Sequence, residues 1–130
     1  MVATNVTITK SIGQTPTEQH LAQLCDKTFL RLWAYPNPYK AEGKELCDLL
    51  VVFEDRVFLF FDRASNKFVD PAKDVGLQWK RWKQEAIDKQ ITTAIGARNH
   101  VLKNPQKVFL DAKCTIPLPI PINATAETVH

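Results

Sequence analysis

Two aspartates interrupt the most apolar stretch of the chain. Residues 43–63 read GKELCDLLVVFEDRVFLFFDR, and Asp48 and Asp62 stand in this stretch where Leu or Val would fit. A carboxylate that is buried without a partner is costly, so each aspartate needs a metal ion, a cationic partner or a chemical task. The pair is therefore the first candidate for a functional site.

The turn between the two predicted strands decides how these carboxylates lie. The Val- and Phe-rich runs on either side of residues 54–56 predict a buried β-hairpin. A two-residue turn would place Asp48 opposite Phe61 and direct Asp62 to the other face of the sheet. A three-residue loop would place the two aspartates opposite each other, with Cβ atoms about 4.5–5.5 Å apart. We expect the three-residue loop, and two like charges at that separation require a bridging cation or one protonated carboxyl.

Composition and charge restrict the class of protein. The chain has 130 residues, of which 45% are hydrophobic and 24% charged, and this predicts one soluble globular domain. A formal net charge of +3 permits nucleic-acid binding without requiring it. The three cysteines, Cys25, Cys47 and Cys114, include no CxxC pair, which predicts reduced thiols, burial of the first two, and a cytoplasmic location. The sequence contains neither a signal-peptide pattern nor an apolar run long enough to span a membrane.

The first predicted helix carries a third acid. Thr15 and Glu18 form a capping box, Pro16 fits the first helical position, and an apolar stripe then continues to about Trp33. Glu18 also projects toward the buried side of this helix. It is therefore either a capping residue or an acid that approaches the two aspartates.

The order of elements predicts an α/β (α+β) fold with a central mixed sheet flanked by helices. After the hairpin, helical periodicity predicts a long helix over residues 77–103, followed by a short strand over residues 107–111. Residues 1–14 are typical of a loose N-terminal segment. Alternating prolines make residues 115–130 an extended edge or covering segment. One domain, residues 1–130, contains all of these elements.

Two polar residues lie on the apolar half of the predicted long helix. Lys83, near the helix start, either extends its ammonium group to water or contributes it to the site. Gln90, in mid-helix, lies either at the margin of the stripe or in the interior near the acids, and we expect the interior position. The apolar residues expected to pack on the sheet are Ile87, Ile91, Ala94 and Leu102.

The arrangement of these residues resembles the PD-(D/E)XK nuclease superfamily. An early Glu on a helix is followed by a buried strand with an Asp, then by a second strand that ends in Asp and a basic residue, and then by a helix. The stretches GKELCDLLVVF, FFDR, WKRWKQEAI and VFLD also resemble a group of bacterial proteins with that architecture. The resemblance covers about residues 17–121. It implies a restriction-endonuclease-like αβββαβ core, shortened at the C-terminal side.

The resemblance also implies roles for individual residues. Asp48 corresponds to the metal-binding aspartate, Asp62 to the second acid and Glu18 to the acid of the first helix. Arg63 stands beside the place of the superfamily's lysine, where the strict motif would have Lys instead of Ala64. The acids would hold Mg²⁺ or Mn²⁺ for the hydrolysis of DNA phosphodiester bonds. Lys83 or Lys80 could supply the missing ammonium group.

Two other interpretations stay open beside the nuclease. The first is a nuclease-like module without catalysis that binds nucleic acid or a protein partner. The second is an unrelated α/β domain whose aspartates pair with Arg56, Arg63 or Lys44. The sequence is also compatible with a homodimer, and it indicates no membrane partner.

Overall fold

The described residues form an α+β fold built on two helical segments and five short strands. The computed structural model describes residues 10–29, 31–62, 72 and 74–130. The elements in chain order are α1 (Pro16–Phe29), β1 (Ala34–Pro36), β2 (Tyr39–Ala41), β3 (Lys44–Glu45), β4 (Leu49–Phe53), β5 (Arg56–Phe60), α2 (Val75–Trp82), a π-helix (Lys83–Asp88) and α3 (Lys89–Lys103).

The main sheet has the strand order β1-β4-β5, and its ladders are antiparallel. The prediction of a mixed sheet is therefore wrong for the described residues. Their parallel contact is an isolated bridge between Val57 and Val129, outside the ladders of the sheet. A tight hairpin joins β4 to β5, and such a short connection can only link antiparallel strands. β2 and β3 form a separate two-stranded ladder.

Alternate residues of β4 face two different cores, as the side-chain period of a strand requires. Leu49 and Val51 face α1, where they pack with Ala22, Cys25 and Ala34. On the other face, the core contains residues of the strands, of α3 and of the C-terminal segment: Tyr35, Leu50, Val52, Val57, Ala97, Val101, Val108 and Ile122. β4 is therefore buried on both faces, which explains its continuous apolar sequence.

Helix α1 begins as the capping box predicts. The Glu18 amide donates to Thr15 Oγ1 at 3.2 Å, and the Thr15 amide donates to Glu18 Oε2 at 3.3 Å. The sequence did not predict the strand that follows, β1, in which Ala34 and Tyr35 are fully buried. Pro36 and Pro38 argued against a strand here. Pro36 is the last residue of β1, however, so it interrupts little of the ladder.

The predicted long helix is confirmed from Val75 to Lys103, but a π-helix divides it. Ala97 and Val101 are buried, whereas Ile91, which we expected on the sheet, is 53% exposed. That expectation was wrong because it assumed α-helical periodicity throughout. Each i→i+5 turn of a π-helix shifts the phase of the residues that follow it.

The C-terminal segment covers the sheet without forming a strand of its own. The strand predicted over residues 107–111 is reduced to isolated bridges at Phe109, so that prediction was wrong. The covering role expected for the Pro-rich segment is confirmed, because Leu118, Ile120 and Ile122 pack against the core. Backbone bonds from residues 128–130 also cover the outer edge of β5. No helix in the described ranges is long and apolar enough to cross a membrane.

Candidate functional site

The hairpin has the two-residue turn, and the three-residue register that we expected is wrong. Phe53 pairs with Arg56, Val52 with Val57 and Leu49 with Phe60. Extending this register places Asp48 opposite Phe61 and directs Asp62 to the other face. Glu54 takes a φ of 54°, a conformation that usually favours Gly, and this allows the tight turn in a sequence without Gly.

Asp48 has a structural task at the end of this ladder. Its amide donates to the Phe60 carbonyl at 3.1 Å, and its carbonyl accepts from the Asn37 amide at 2.9 Å. Its carboxylate accepts the Asp62 amide, with 2.5 Å between that nitrogen and Oδ2. The side chain thus supplies the acceptor that a backbone amide needs where strand pairing stops. This contact explains a carboxylate beside a buried strand without a metal ion.

Glu18 is a capping residue that also reaches the sheet. Its Oε2 accepts the Gln14 amide at 2.7 Å in addition to the Thr15 amide. The same oxygen accepts from Asn37 Nδ2 at 3.3 Å. Because the Asn37 amide donates to the Asp48 carbonyl, hydrogen bonds connect Glu18 to Asp48 through Asn37. The structure therefore brings the three predicted acids into one region, but it connects them through backbone groups and a buried amide.

Two other predicted site residues lie on the long helix. Lys83 is half-exposed and pairs with Asp88 at 3.3 Å, within its own helix. Gln90 is half-buried, so the expectation that its side chain is buried in the interior is not met. Arg63 lies outside the described residues.

The described residues do not fit the magnesium site that the resemblance implies. In the ranges that the structure describes, no group of three or more His, Cys, Asp or Glu side chains could hold a metal ion. One oxygen of the Asp48 carboxylate accepts the Asp62 amide, and the register directs the Asp62 side chain to the other face of the sheet. Magnesium prefers several oxygen ligands in octahedral geometry, which this pair does not offer.

The buried thiols do not supply a nucleophile either. The expected burial of Cys25 and Cys47 is confirmed. Burial raises the pKa of Cys47 well above its ordinary value of 9.0, and the carboxylates of Asp48 and Glu45 raise this pKa further. Burial likewise raises the pKa of Cys25. Both thiols therefore stay protonated at neutral pH, whereas nucleophilic cysteines have lowered pKa values.

Four consecutive residues of α2, Trp79, Lys80, Arg81 and Trp82, form a basic and aromatic face that the sequence did not predict as a binding surface, although Lys80 was a candidate for the metal site. The rings of Trp79 and Trp82 stack with centroids 5.2 Å apart and planes at 23°. Trp79 is 51% exposed, and Lys80 and Arg81 are also exposed. The signal is present in the sequence as WKRW. The residue of this helix that is buried is Gln78.

Comparison of the chain with protein-family models, with curated proteins and with solved structures finds no match to any of them. The resemblance to the PD-(D/E)XK superfamily therefore depends on the sequence motifs alone.

Proposed function

We propose that this protein is a nucleic-acid-binding module whose basic and aromatic face contacts single strands. The observation that carries the proposal is the stacking of the exposed Trp79 on the half-buried Trp82, on a helix segment that contains no acid. Aromatic rings of this kind stack with nucleic-acid bases, and this interaction tolerates any sequence because every base has a π-face. Single strands present such bases, whereas a duplex holds them inside its stack.

Helix geometry places one cation on each flank of the aromatic pair. At about 100° per residue, Lys80 lies about 100° from Trp79 and Arg81 about 100° from Trp82, so each long cationic side chain flanks one tryptophan without sharing its direction. Both cationic side chains are exposed. A strand whose bases contact the tryptophans would therefore have its phosphates within reach of a cation on either flank.

The charges around α2 favour an anionic ligand. The sequence of α2, VGLQWKRW, contains two cations and no carboxylate. The acids of the following turns form ion pairs. Lys83 Nζ lies 3.3 Å from Asp88 Oδ1, and Lys89 Nζ lies 2.8 Å from Glu85 Oε1. α2 itself therefore carries two positive charges, those of Lys80 and Arg81.

Fluorescence anisotropy of a labelled oligothymidylate tests this proposal. Lys80→Gln/Arg81→Gln should weaken binding and reduce the slope of log K against log salt by about 1.4, because two phosphate contacts are lost. Trp79→Leu should weaken binding about 5- to 150-fold. Lys103→Gln/Lys107→Gln removes the same charge from exposed positions outside this face and is the matched control.

Two results would contradict the proposal. The first is the absence of saturable binding at low salt. The second is a control variant that loses as much affinity as Lys80→Gln/Arg81→Gln, because the interaction would then be unspecific attraction to a basic protein.

The same preparation tests the metal-dependent DNA nuclease that the resemblance implies. Plasmid and single-stranded DNA are incubated with the protein in Mg²⁺, Mn²⁺ or EDTA. Cleavage that needs the metal and disappears in Asp48→Asn would make the nuclease, with its restriction-endonuclease-like core, the better assignment. Binding without cleavage in any cation supports the non-catalytic module.

A further inference from the structure

A second surface has the opposite charge and a different shape. A cavity of about 450 Å³ opens between the β4–β5 turn and the Pro-rich segment. Trp33 and Val52 line it from the sheet, Glu54 and Asp55 from the turn, and Ile120 and Pro121 from the covering segment. This volume lies within the range of about 300–1,000 Å³ that is usual for small-molecule sites.

The backbone fixes the position of the aromatic wall. The Val52 amide donates to the Trp33 carbonyl at 2.9 Å, which extends the β1–β4 pairing by one residue. The Trp33 ring also meets Phe53 edge to face, with centroids 5.1 Å apart and an angle of 87° between the planes. The indole is therefore held in place by the sheet and by a neighbouring ring before any ligand arrives.

The two carboxylates at the turn lack a cationic partner. Within the part of the chain that the structure describes, neither Glu54 nor Asp55 forms an ion pair. The nearest basic residue in sequence, Arg56, instead lies against His130, with 3.4 Å between Nη1 and Nε2. The cavity thus combines an indole, two unneutralised negative charges and aliphatic walls.

We propose that this cavity binds an ammonium cation that carries apolar substituents, such as a trimethylammonium group. The Trp33 ring attracts such a cation through its quadrupole, and the carboxylates of Glu54 and Asp55 attract it by charge. Val52, Ile120 and Pro121 contact the methyl groups. A phosphate would be repelled by the two carboxylates, so this site is separate in chemistry from the nucleic-acid face.

The size and the lining of the cavity exclude a bare metal ion as its ligand. A divalent ion needs several oxygen ligands close to one point, and the described acids form no such group. A fully hydrated primary ammonium would leave the aliphatic walls uncovered. Methyl substituents spread the charge over a larger, weakly hydrated surface that matches them.

Choline and its neutral carbon isostere, 3,3-dimethyl-1-butanol, test the proposal on the ¹⁵N-labelled full chain. The indole N–H signals of the three tryptophans are followed by NMR during each titration. Choline should shift the Trp33 signal saturably, with an affinity about tenfold higher than that of the isostere. The signal is assigned with Trp33→Phe. Equal affinities, or no saturable shift of Trp33, would overturn the proposal.

A charge-removal variant keeps the test valid even if changes at Trp33 disturb the fold. Glu54→Gln/Asp55→Asn alters exposed turn residues and should weaken choline binding at least fivefold. Glu42→Gln/Glu127→Gln removes the same charge from exposed positions that do not line the cavity and should leave the affinity unchanged. Equal losses in both double variants would also overturn the proposal.

The source of the trimethylammonium group is distinguished by a second pair of ligands. A short peptide containing trimethyllysine is compared with the same peptide containing unmodified lysine. Binding of the trimethylated peptide more tightly than choline supports the proposal and assigns the group to a modified side chain. Tighter binding of choline supports it and assigns a free small molecule. Equal binding of both peptides would contradict the preference for methyl groups and overturn the proposal.

Discussion

Asn37 is the buried polar residue on which the region of the three acids depends. It is 2% exposed and has a φ of 48°. Its Oδ1 accepts from Ser11 Oγ at 3.0 Å, and its Nδ2 donates to Glu18 Oε2 at 3.3 Å. The first bond is neutral and stabilises the fold by about 0.5–1.5 kcal/mol, and the second, to a carboxylate but long, by about 1.5 kcal/mol. Asn37→Gly removes both bonds and should lower the free energy of unfolding by about 2–3 kcal/mol.

Two further substitutions separate the contributions at this position. Asn37→Ala removes the same bonds and adds the cost of a Cβ at positive φ, so it should be worse than Asn37→Gly by about 1 kcal/mol. Asn37→Asp is nearly isosteric but places a second carboxylate against Glu18. It should be strongly destabilised at neutral pH and regain stability in acid, when one carboxyl is protonated.

Urea denaturation followed by circular dichroism measures these differences. For a chain of 130 residues, each 1 kcal/mol corresponds to a change in melting temperature of roughly 3–5 °C. Asn99, exposed on α3, is the matched control, and its replacement by Ala or Asp should change the free energy of unfolding by less than about 0.5 kcal/mol. If Asn37→Asp shows the same pH dependence of stability as the control Asn99→Asp, the contact with Glu18 is refuted. If Asn37→Ala equals Asn37→Gly, the argument from positive φ fails.

Three other predictions concern Asp48 and its neighbour Cys47, before the first strand of the hairpin. Asp48→Ala should lower the free energy of unfolding by about 1–2 kcal/mol because the Asp62 amide loses its acceptor, and Asp48→Asn should cost less because its oxygen still accepts. Melting temperatures should be equal in Mg²⁺ and EDTA; an increase in Mg²⁺ that Asp48→Asn abolishes would show that the carboxylate holds a cation. Because burial raises the pKa of Cys47, the unfolded chain loses this proton above pH 9.0 while the folded chain keeps it. The free energy of unfolding should therefore fall above pH 9 by up to about 1.4 kcal/mol per pH unit, and Cys47→Ala should fall less steeply in the same urea titrations.

The helices were predictable because their signals are local. The capping box of Thr15 and Glu18 and the proline between them set the start of α1 within one turn. The two-strand hairpin followed from its apolar runs in the same way. The π-helix was not predictable, because no residue pattern marks it, and it changes which side of α3 is buried.

The register of the hairpin could not be read from the sequence, since it depends on one backbone angle. Both candidate turns lack Gly and both require a residue at positive φ. The structure assigns that conformation to Glu54 and so selects the shorter turn. A change of one residue in this turn moves every side chain of β5 to the opposite face. The predicted metal site of Asp48 and Asp62 depended entirely on the length of this turn.

The loss of that pair changes what the acids of this chain indicate. Asp48 and Glu18, the acids on the apolar sides of their elements, each accept backbone amides that lack another acceptor. Glu54 and Asp55, on the exposed turn, are among the acids that form no ion pair within the described residues, and they lie beside the indole of Trp33. A half-buried acid beside the core of a small domain is therefore a sign of a capping task at least as much as of a catalytic one. An exposed acid becomes informative when an aromatic wall stands beside it, because the two together favour one class of ligand.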